Sequence, residues 1–397
     1  MTDFAETRRQ FHLPKGMIYL DGNSLGPLPR AAAARVAKTI KAEWGEMLVT
    51  GWNKAGWMDK PMSVGNRIAR LIGAEANSVA VGDTLSIKVY QALASALEMN
   101  PERRVILSDS GNFPSDLYMA QGLCRTLGLG YSLKIVEPTE VLSAIDDTVA
   151  VTLITEVDYR TGRKHDMGLI TAKAHAHRAL TIWDLAHSAG ALPVELARTG
   201  ADFACGCTYK YLNSGPGGPA FIYVAPRHHD RARPALSGWQ GHDAPFAFDL
   251  DYRPAEGVGR MRVGTPPILQ LAALEASLDI WDGVDMSALR ATSLALTDQF
   301  IRQVEASCPT LSLATPRAHD ERGSQVSFRH PQGYAIMQAL IARGVIGDFR
   351  APDIIRFGFT PLFTDATDVT RAAAILADVM ARDLWDTADY KTRKNVT

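Results

Sequence analysis

A lysine between two apolar runs is the residue whose surroundings in this sequence most favour chemistry. Lys210 lies in the stretch Ala201 to Val224, where it separates two runs that resemble buried strands. Burying a lysine costs free energy unless its amine is paired or used, and a desolvated amine suits Schiff-base chemistry. Most lysines instead point into water, which is the commoner outcome for such a stretch taken alone. Lys210 is therefore a candidate catalytic amine whose assignment depends on the rest of the chain.

An aspartate that directly follows another apolar run gives Lys210 a possible partner. Asp184 comes after the predicted strand Leu180 to Trp183, with one helix and one strand expected between it and Lys210. Ligands of parallel sheets bind at the carboxyl ends of the strands, so both side chains are expected at one edge. Asp184 could equally be a helix N-cap. A buried carboxylate facing a lysine amine is, however, the pair that pyridoxal phosphate (PLP) requires, because the carboxylate keeps the pyridine nitrogen protonated.

The elements that must position this pair predict an α/β fold. Predicted strands at 79–81, 105–107, 132–136, 149–154 and 180–183 alternate with helical stretches. That alternation indicates a large, mostly parallel sheet flanked by helices, followed by a small C-terminal α/β domain. We expect residues 47–275 to form the large domain. Residues 276–397 are expected to form the small domain together with the N-terminal arm, 1–46.

Two of the predicted strand-to-helix turns carry hydroxyl groups. Thr84 and Ser86 lie in one turn, and Ser115 lies in another. A helix N-terminus offers free N–H groups and a favourable dipole to a phosphate, although each hydroxyl taken alone is most often a simple cap. The sequence has neither a G-x-G-x-x-G after the first strand nor a G-x-x-x-x-G-K-[ST]. A dinucleotide or P-loop site is therefore not expected.

The sequence allows two interpretations of one arginine and two interpretations of a pair of tryptophans. Arg356 lies inside an apolar strand, where it either points to solvent or presents a fixed fork to a carboxylate. Trp52 and Trp57 lie in a predicted glycine-bearing loop, where they are either packing anchors or neighbours of an aromatic ligand.

The overall composition excludes several classes of protein. The chain of 397 residues is 46% hydrophobic and 21% charged, with a formal net charge of -1, so no general attraction to nucleic acid or to an anionic membrane is expected. Four cysteines are too few for a disulfide scaffold, and Cys205 and Cys207 lack further metal ligands nearby, so no metal site is expected. No apolar leader or long apolar run occurs, which predicts a cytoplasmic protein.

Taken together, the motifs resemble the kynureninase family of fold-type I PLP enzymes, in the aspartate aminotransferase superfamily. The resemblance covers nearly the whole chain, and it depends on the order and spacing of the segments because each one alone is weak. The segments are 19–26 (YLDGNSLG), 112–116 (NFPSD), 183–187 (WDLAH), 209–213 (YKYLN), 238–242 (GWQGH), 264–268 (GTPPI) and 348–356 (DFRAPDIIR).

The resemblance implies a role for each candidate residue. Lys210 would bond the cofactor covalently, Asp184 would hold its pyridine nitrogen, and Tyr209 would help to move protons. Arg356 would hold the substrate α-carboxylate, and Ser24 and Trp52 would lie near the aromatic end of the substrate. The other implied cofactor contacts are Leu85, Ser86, Phe113 (stacked on the ring), Ser115, Asp116, Thr155 and His187, with Trp239 and Thr265 supplied by the neighbouring subunit of a homodimer.

The implied reaction is hydrolysis of L-kynurenine to anthranilate and L-alanine, in tryptophan degradation and NAD biosynthesis. Trp52 and Thr265 stand where the animal type carries histidine and asparagine. This departure resembles the bacterial form, which favours kynurenine over 3-hydroxykynurenine. Ser86, where threonine is common, keeps the hydroxyl.

Two kinds of alternative remain at this stage. Another fold-type I PLP enzyme is possible, either a class-V-type aminotransferase or a cysteine desulfurase. A desulfurase needs a mobile nucleophilic cysteine, for which Cys308 is the only late candidate, in a context typical of a helix end. A non-enzymatic PLP-fold regulator is disfavoured, because such a module would be expected to have lost Lys210 or Asp184, or to carry an added DNA-binding segment.

Overall fold

The computed structural model describes residues 2–393, which form two sheets with helices packed on them. The helices are α1 Phe4–Arg9, α2 Arg30–Lys38, α3 Gly51–Lys54, α4 Lys60–Leu71, α5 Leu85–Met99, α6 Pro114–Leu127, α7 Val141–Ala144, α8 Met167–Ala176, α9 Leu196–Thr199, α10 Ile268–Trp281, α11 Met286–Ser307, α12 Gly333–Ala342, α13 Ala366–Ala381 and α14 Ala388–Lys391. The strands are β1 Phe11–His12, β2 Ile18–Tyr19, β3 Leu28–Pro29, β4 Val79–Val81, β5 Val105–Asp109, β6 Ser132–Val136, β7 Val149–Thr155, β8 Leu180–Asp184, β9 Phe203–Cys207, β10 Ala220–Val224, β11 Ser312–Leu313, β12 Gln325–Arg329, β13 Val345–Ile346, β14 Asp348–Arg350 and β15 Ile354–Gly358.

The larger sheet has seven strands in the order β4-β10-β9-β8-β7-β5-β6. All of them run parallel except β10, which pairs antiparallel with both β4 and β9. Strands β7, β9 and β10 are buried along their whole length, as expected for strands covered by helices on both faces. The carboxyl ends of the six parallel strands therefore meet at one edge of the sheet.

A second, four-stranded antiparallel sheet is formed by β11-β12-β15-β14. Its apolar face packs against α11, α12 and α13 around Phe300, Phe328 and Phe357. The short strand β2 of the N-terminal arm pairs with β13, which ties the arm to the C-terminal part of the chain. The predicted α/β architecture, with a mostly parallel sheet and a smaller C-terminal α/β layer, is confirmed.

Local structure differs from the sequence prediction at several places. The segment of Trp52 was expected to be a loop and instead contains the short helix α3. The alanine-rich stretch that begins at Pro29 and Arg30 predicts a helix up to about Met47, whereas α2 ends at Lys38 and continues as a π-helix over Thr39–Glu46. Strand β14 was not predicted, because three residues beside a proline carry little periodic signal.

No helix within residues 2–393 is both long enough and apolar enough to cross a membrane.

Candidate active site

The candidate site is a pocket of about 200 Å³ at the carboxyl edge of the seven-stranded sheet. A larger apolar groove, of about 800 Å³, lies elsewhere and is lined mainly by the N-terminal arm, α2, residues 213–216 and the start of α10. The smaller pocket holds the reactive groups. It is lined by Asn23, Ser24, Leu85, Ser86, Phe113, Ser115, Asp116, Thr155, Tyr159, Asp184, Ala186, His187, Tyr209, Lys210, Arg350 and Arg356.

Lys210 reaches this pocket from the turn that follows β9. Its Nζ lies 3.0 Å from Nε2 of His187 and 5.9 Å from the centre of the Phe113 ring. Burial, together with the charges of Lys210 and Arg356, lowers the pKa of His187 well below its ordinary value. A neutral imidazole can accept a hydrogen bond from the lysine amine. Lys210 is thus a half-buried amine inside a pocket and does not point into bulk water.

Asp184 ends β8, next to Thr155 at the end of β7. Its side chain is buried, and Oδ1 accepts a hydrogen bond of 2.9 Å from the backbone N–H of Ala186. Burial raises the pKa of Asp184, while the charge of Lys210 acts in the opposite direction. Parallel pairing of β8 with β9 brings Asp184 to the same edge as Lys210, as the sequence predicted.

Asp116 is a second buried carboxyl group in the pocket. Burial and the neighbouring Asp184 raise its pKa well above the ordinary value. Its Oδ2 has no hydrogen-bond partner anywhere in the part of the chain that the structure describes. A buried polar atom without a partner is uncommon in native proteins, and it is satisfied if a polar ligand binds beside it.

The starts of α5 and α6 provide the features that a phosphate needs. Neither helix start has a side-chain cap, and Ser86 Oγ and Ser115 Oγ are hydrogen-bonded to each other at 2.8 Å. The hydroxyls therefore leave the first N–H groups of the helices for another acceptor. The ring of Phe113 is 44% exposed, so an aromatic surface is available for stacking. Together with Lys210 and the buried carboxyl groups, these features fit PLP.

Arg356 points into the molecule, which excludes the solvent-facing alternative. It is 1% exposed and forms an ion pair with Asp348, its direct neighbour across the β14–β15 pair, with Nε at 2.8 Å from Oδ1 and Nη2 bonded to Oδ2. Nη2 also donates to Ser24 Oγ at 2.8 Å, and Nη1 donates to the carbonyl of Tyr159. The guanidinium group is therefore held rigidly at the wall of the pocket.

Three predicted site residues do not line this pocket. Trp52 and Trp239 pack against each other with ring centres 5.9 Å apart, and Trp57 lies 6.0 Å from Trp52 on its other side. Thr265 lies in an exposed loop, among residues that line a separate small cavity. From the sequence, Trp239 and Thr265 are expected to act from a neighbouring subunit, and neither lines the Lys210 pocket of its own chain. Within one chain, Trp52 is a packing residue in contact with two other tryptophans.

Several residues that the structure brings to the site were not predicted from the sequence. Asn23, Tyr159, Ala186 and Arg350 line the pocket, and Asp348 holds Arg356. A usable signal was present for Asp348. Asp348 and Arg356 are equally far from Pro352, so a hairpin centred on that proline places the opposite charges directly across from each other.

Solved structures with the same fold include a cysteine desulfurase and a protein with a PLP cofactor. The chain matches the apo cysteine desulfurase of Thermococcus onnurineus NA1 with a TM-score of 0.80 at 17% identity, over 96% of this chain and 99% of that one. It also matches a C-DES variant with glycine covalently linked to its PLP cofactor, with a TM-score of 0.79 at 18% identity, over 95% of this chain and 100% of that one. Identities this low establish the shared fold and leave the activity open.

Curated relatives are far more similar in sequence. The kynureninases of Pseudomonas fluorescens and of Burkholderia mallei (strain SAVP1) are each 52% identical to this chain over 400 aligned residues. In both cases the match covers 99% of this chain and 96% of the relative. Residues 289–376 also match the family model of the kynureninase C-terminal domain. With this identity over nearly the full length of both chains, the protein belongs to the kynureninase family.

Proposed function

We propose that this protein hydrolyses the Cβ–Cγ bond of L-kynurenine to give anthranilate and L-alanine, with PLP as its cofactor. The 52% identity to kynureninases over nearly the whole chain carries this proposal. The pocket supports it, because Lys210, Asp184 and Arg356 have the chemistry that an amino acid substrate and PLP require and line one cavity.

The residues of the pocket would hold each part of the cofactor. Lys210 would bond it covalently, Asp184 would hold a proton on its ring nitrogen, and Phe113 would cover one ring face. The helix starts at Ser86 and Ser115 would receive its phosphate, and Leu85, Asp116, Thr155, His187 and Tyr209 would complete the contacts. Bound PLP supplies an electron sink for the electron pair released at the substrate Cα.

Lys210 is the group proposed to move the proton at the substrate Cα. With the cofactor bound, a free Nζ of Lys210 would serve as the general base for the Cα proton. His187, at 3.0 Å from Nζ, is kept neutral by burial and by nearby positive charges, so it can orient that amine without repelling it.

Tyr209 is proposed to deliver a proton as the Cβ–Cγ bond breaks. The neighbouring Cys207 and partial burial raise the pKa of Tyr209, so the phenol stays protonated at neutral pH. A protonated phenol beside Lys210 is a proton donor for the carbon or oxygen atom that becomes negative during cleavage.

Arg356 is proposed to bind the substrate α-carboxylate. A charge-assisted hydrogen bond of this kind contributes about 1.5–3 kcal/mol, and its geometry fixes which Cα bond is aligned for cleavage. The network formed by Asp348, Ser24 and Tyr159 supports this role, because it immobilises the guanidinium group before substrate arrives.

A homodimer is proposed as the active assembly. Large apolar side chains are exposed in the first 46 residues, including Leu28 (49%) and Trp44 (58%), and Leu28 lines the apolar groove of about 800 Å³. Exposed apolar surface of this extent is typical of an interface. In such a dimer Trp239 and Thr265 would contact the cofactor phosphate of the neighbouring subunit, and Trp52, which packs on Trp239, would lie near the substrate's aromatic end.

A cysteine desulfurase activity is the principal alternative because the structural neighbours include desulfurases. Cys308, the candidate nucleophile, is 1% exposed at the end of α11 and is not among the residues that line the pocket. Burial raises the pKa of its thiol, which makes it a poor nucleophile. This favours kynurenine hydrolysis over desulfuration.

The experiment mixes the purified, PLP-loaded protein with L-kynurenine and follows anthranilate fluorescence together with L-alanine release. Equal amounts of both products are expected. Conversion of the cofactor to its amine form without anthranilate would identify an aminotransferase instead, and sulfide release from L-cysteine would identify a desulfurase. Parallel kcat/KM measurements with 3-hydroxykynurenine test the predicted preference for kynurenine, which rests on Trp52 and Thr265.

The domain boundaries at residues 46/47 and 275/276 and the cytoplasmic location stay predictions. Residues 1 and 394–397 of the predicted small domain and arm lie outside the described residues.

A further inference from the structure

We propose that Arg350 is a second substrate-binding arginine, which shares the α-carboxylate of the amino acid with Arg356. Asp348 and Ser24 hold both guanidinium groups in place. This inference rests on the proposed function, because it needs an amino acid substrate in the Lys210 pocket. It adds a contact and a pair of positioning residues to the role proposed for Arg356.

Arg356 has little capacity left for a ligand. A guanidinium group has five N–H donors. In Arg356, Nε and Nη2 bond Asp348, Nη2 also bonds Ser24, and Nη1 bonds the carbonyl of Tyr159. Four of the five donors are therefore directed at the protein, and the remaining one is on Nη1. A carboxylate needs two parallel N–H groups for a bidentate contact, so Arg356 alone cannot provide it without losing a partner.

Arg350 lies where the missing donor is needed. It lines the same pocket as Lys210 and Arg356, and its side chain is 36% exposed against 1% for Arg356. Its Nη2 is 2.6 Å from Asp348 Oδ2 and 3.2 Å from Ser24 Oγ. The same carboxylate and the same hydroxyl therefore fix both arginines, and Arg350 is the more accessible of the two.

The hairpin of β14 and β15 explains this arrangement. Asp348 and Arg350 are two residues apart on β14, so their side chains emerge on one face of the sheet. Arg356 lies directly opposite Asp348 on β15. Arg350 is then the diagonal neighbour of Arg356, a distance that long side chains can bridge. Ser24, delivered by the N-terminal arm, closes the group with a hydrogen bond of 2.7 Å to Asp348.

Arg350 also determines the net charge of the cluster that it forms with Asp348, Arg356 and Ser24. Burial alone would raise the pKa of Asp348, but the charge and hydrogen bonds of Arg356 hold it below the ordinary value, so Asp348 is ionised and neutralises Arg356. Burial and Asp348 raise the pKa of the adjacent Asp21 to about 7, so Asp21 adds at most part of a further negative charge. The charges of Asp348 and Arg356 therefore cancel, and Arg350 adds the positive charge that favours a carboxylate ligand.

The test measures binding with two amines that differ only in the carboxylate. L-Alanine and ethylamine are titrated into PLP-loaded wild-type protein and Arg350→Gln protein, and the cofactor absorbance reports each Kd. In Arg350→Gln the Kd for L-alanine should rise about tenfold or more, while the Kd for ethylamine changes less than about twofold. Arg350→Lys keeps the charge and loses the fork, so its Kd for L-alanine should lie between the two.

Arg329→Gln is the matched control. Arg329 belongs to the same sheet and pairs with one carboxylate, Asp353, but it does not line the pocket. Its variant should bind both amines as wild type does. An unchanged Kd for L-alanine in Arg350→Gln, or an equal weakening of both amines, would overturn the inference. A wild-type protein that binds no L-alanine and releases no anthranilate from kynurenine would overturn the proposed function, and this inference with it.

Discussion

At the scale of single residues, the site depends on groups that are costly to bury and that a ligand or a neighbour must satisfy. Lys210, Asp184 and Asp116 share one pocket, and Asp116 Oδ2 has no partner among the residues described. Lys210 is held by neutral His187, and Asp184 by a backbone N–H. Each of these roles can be tested by a substitution that preserves the size of the side chain or removes only the reactive group.

Replacing Lys210 by alanine should abolish the covalent bond to the cofactor. Borohydride reduction of the loaded wild-type protein, followed by peptide mass spectrometry, should place the reduced adduct on the peptide that contains Lys210. Anthranilate formation by Lys210→Ala should fall by about 1,000-fold or more, because the variant lacks the amine proposed to move the Cα proton. An adduct on the same peptide of the variant would refute the assignment.

Asp184→Asn should separate cofactor binding from turnover. Asparagine keeps the shape of the side chain but cannot hold a proton on the ring nitrogen as a carboxylate does, so the electron sink is weakened. The variant should still show the absorbance of bound PLP, while kcat falls by about 100-fold, or roughly 3 kcal/mol in activation free energy. A near-normal kcat would mean that another group, with Asp116 the first candidate, protonates the ring.

At the scale of the elements, a buried carboxylate ties strands and helices together at the edge of the sheet opposite the pocket. Asp202, just before β9, accepts hydrogen bonds from the backbone N–H of Thr181 (2.8 Å), from His175 (2.9 Å), and from Arg227 and His228 (2.7 Å each). Burial alone would raise its pKa, but these bonds and charges outweigh burial and lower the pKa below the ordinary value.

Asp202→Asn should lower the free energy of unfolding at neutral pH by about 2–4 kcal/mol, because two charge-assisted acceptors are lost in a buried place. The folded-state pKa is depressed, so the contribution of Asp202 is fully present well above its unfolded pKa of about 4 and is lost as the pH falls through the lower folded-state value. Urea unfolding at several pH values should show the gap between variant and wild type closing in acid. As a comparison, Asp147 is an exposed carboxylate that pairs with His177, so Asp147→Asn should lower the free energy of unfolding by less than about 1 kcal/mol.

Two helical glycines should respond in opposite ways to alanine. A Cβ at Gly65 in α4 would collide with the carbonyl of Val79, where the helix crosses β4, whereas a Cβ at Gly122 in α6 would meet nothing within 4 Å. Gly65→Ala should therefore cost about 1–3 kcal/mol through overpacking. Gly122→Ala should gain about 0.5–1 kcal/mol, because alanine restricts the unfolded chain and favours the helix. Thermal unfolding of the two variants side by side tests the contrast.

At the scale of the whole molecule, each active site of the proposed dimer would contain residues from both subunits. Lys210→Ala protein lacks the proposed catalytic amine, and the double variant Trp239→Phe, Thr265→Ala lacks the proposed phosphate contacts from the neighbouring subunit. Each should be nearly inactive alone. After subunit exchange, half of the dimers are mixed and each mixed dimer has one complete site, so activity should recover to about one quarter of wild type. No recovery after verified exchange would mean that Trp239 and Thr265 act within their own subunit.

The sequence by itself determined the fold class, the family and most of the polar groups of the pocket. Strand-helix alternation sets the parallel sheet, and the carboxyl ends of parallel strands must meet at one edge, so Asp184 and Lys210 could be brought together in advance. The sequence also indicated the chemistry of single segments. Hydroxyls at helix starts favour a phosphate, and a lysine between apolar strands favours a covalent bond to a carbonyl group.

Only the tertiary structure decided where the Arg356 side chain points and which residues surround it. Whether a strand residue faces solvent or a pocket depends on what packs on each side of the sheet, and Ser24, Tyr159 and Asp348 come from three distant parts of the chain. Their hydrogen bonds use most of the N–H donors of the guanidinium group. No local sequence pattern predicts this, because the partners are far apart in the chain. Lys210 and Asp184 could be predicted at one edge because sheet topology brings them there, whereas the position of Arg350 beside Arg356 depends on contacts between distant parts of the chain.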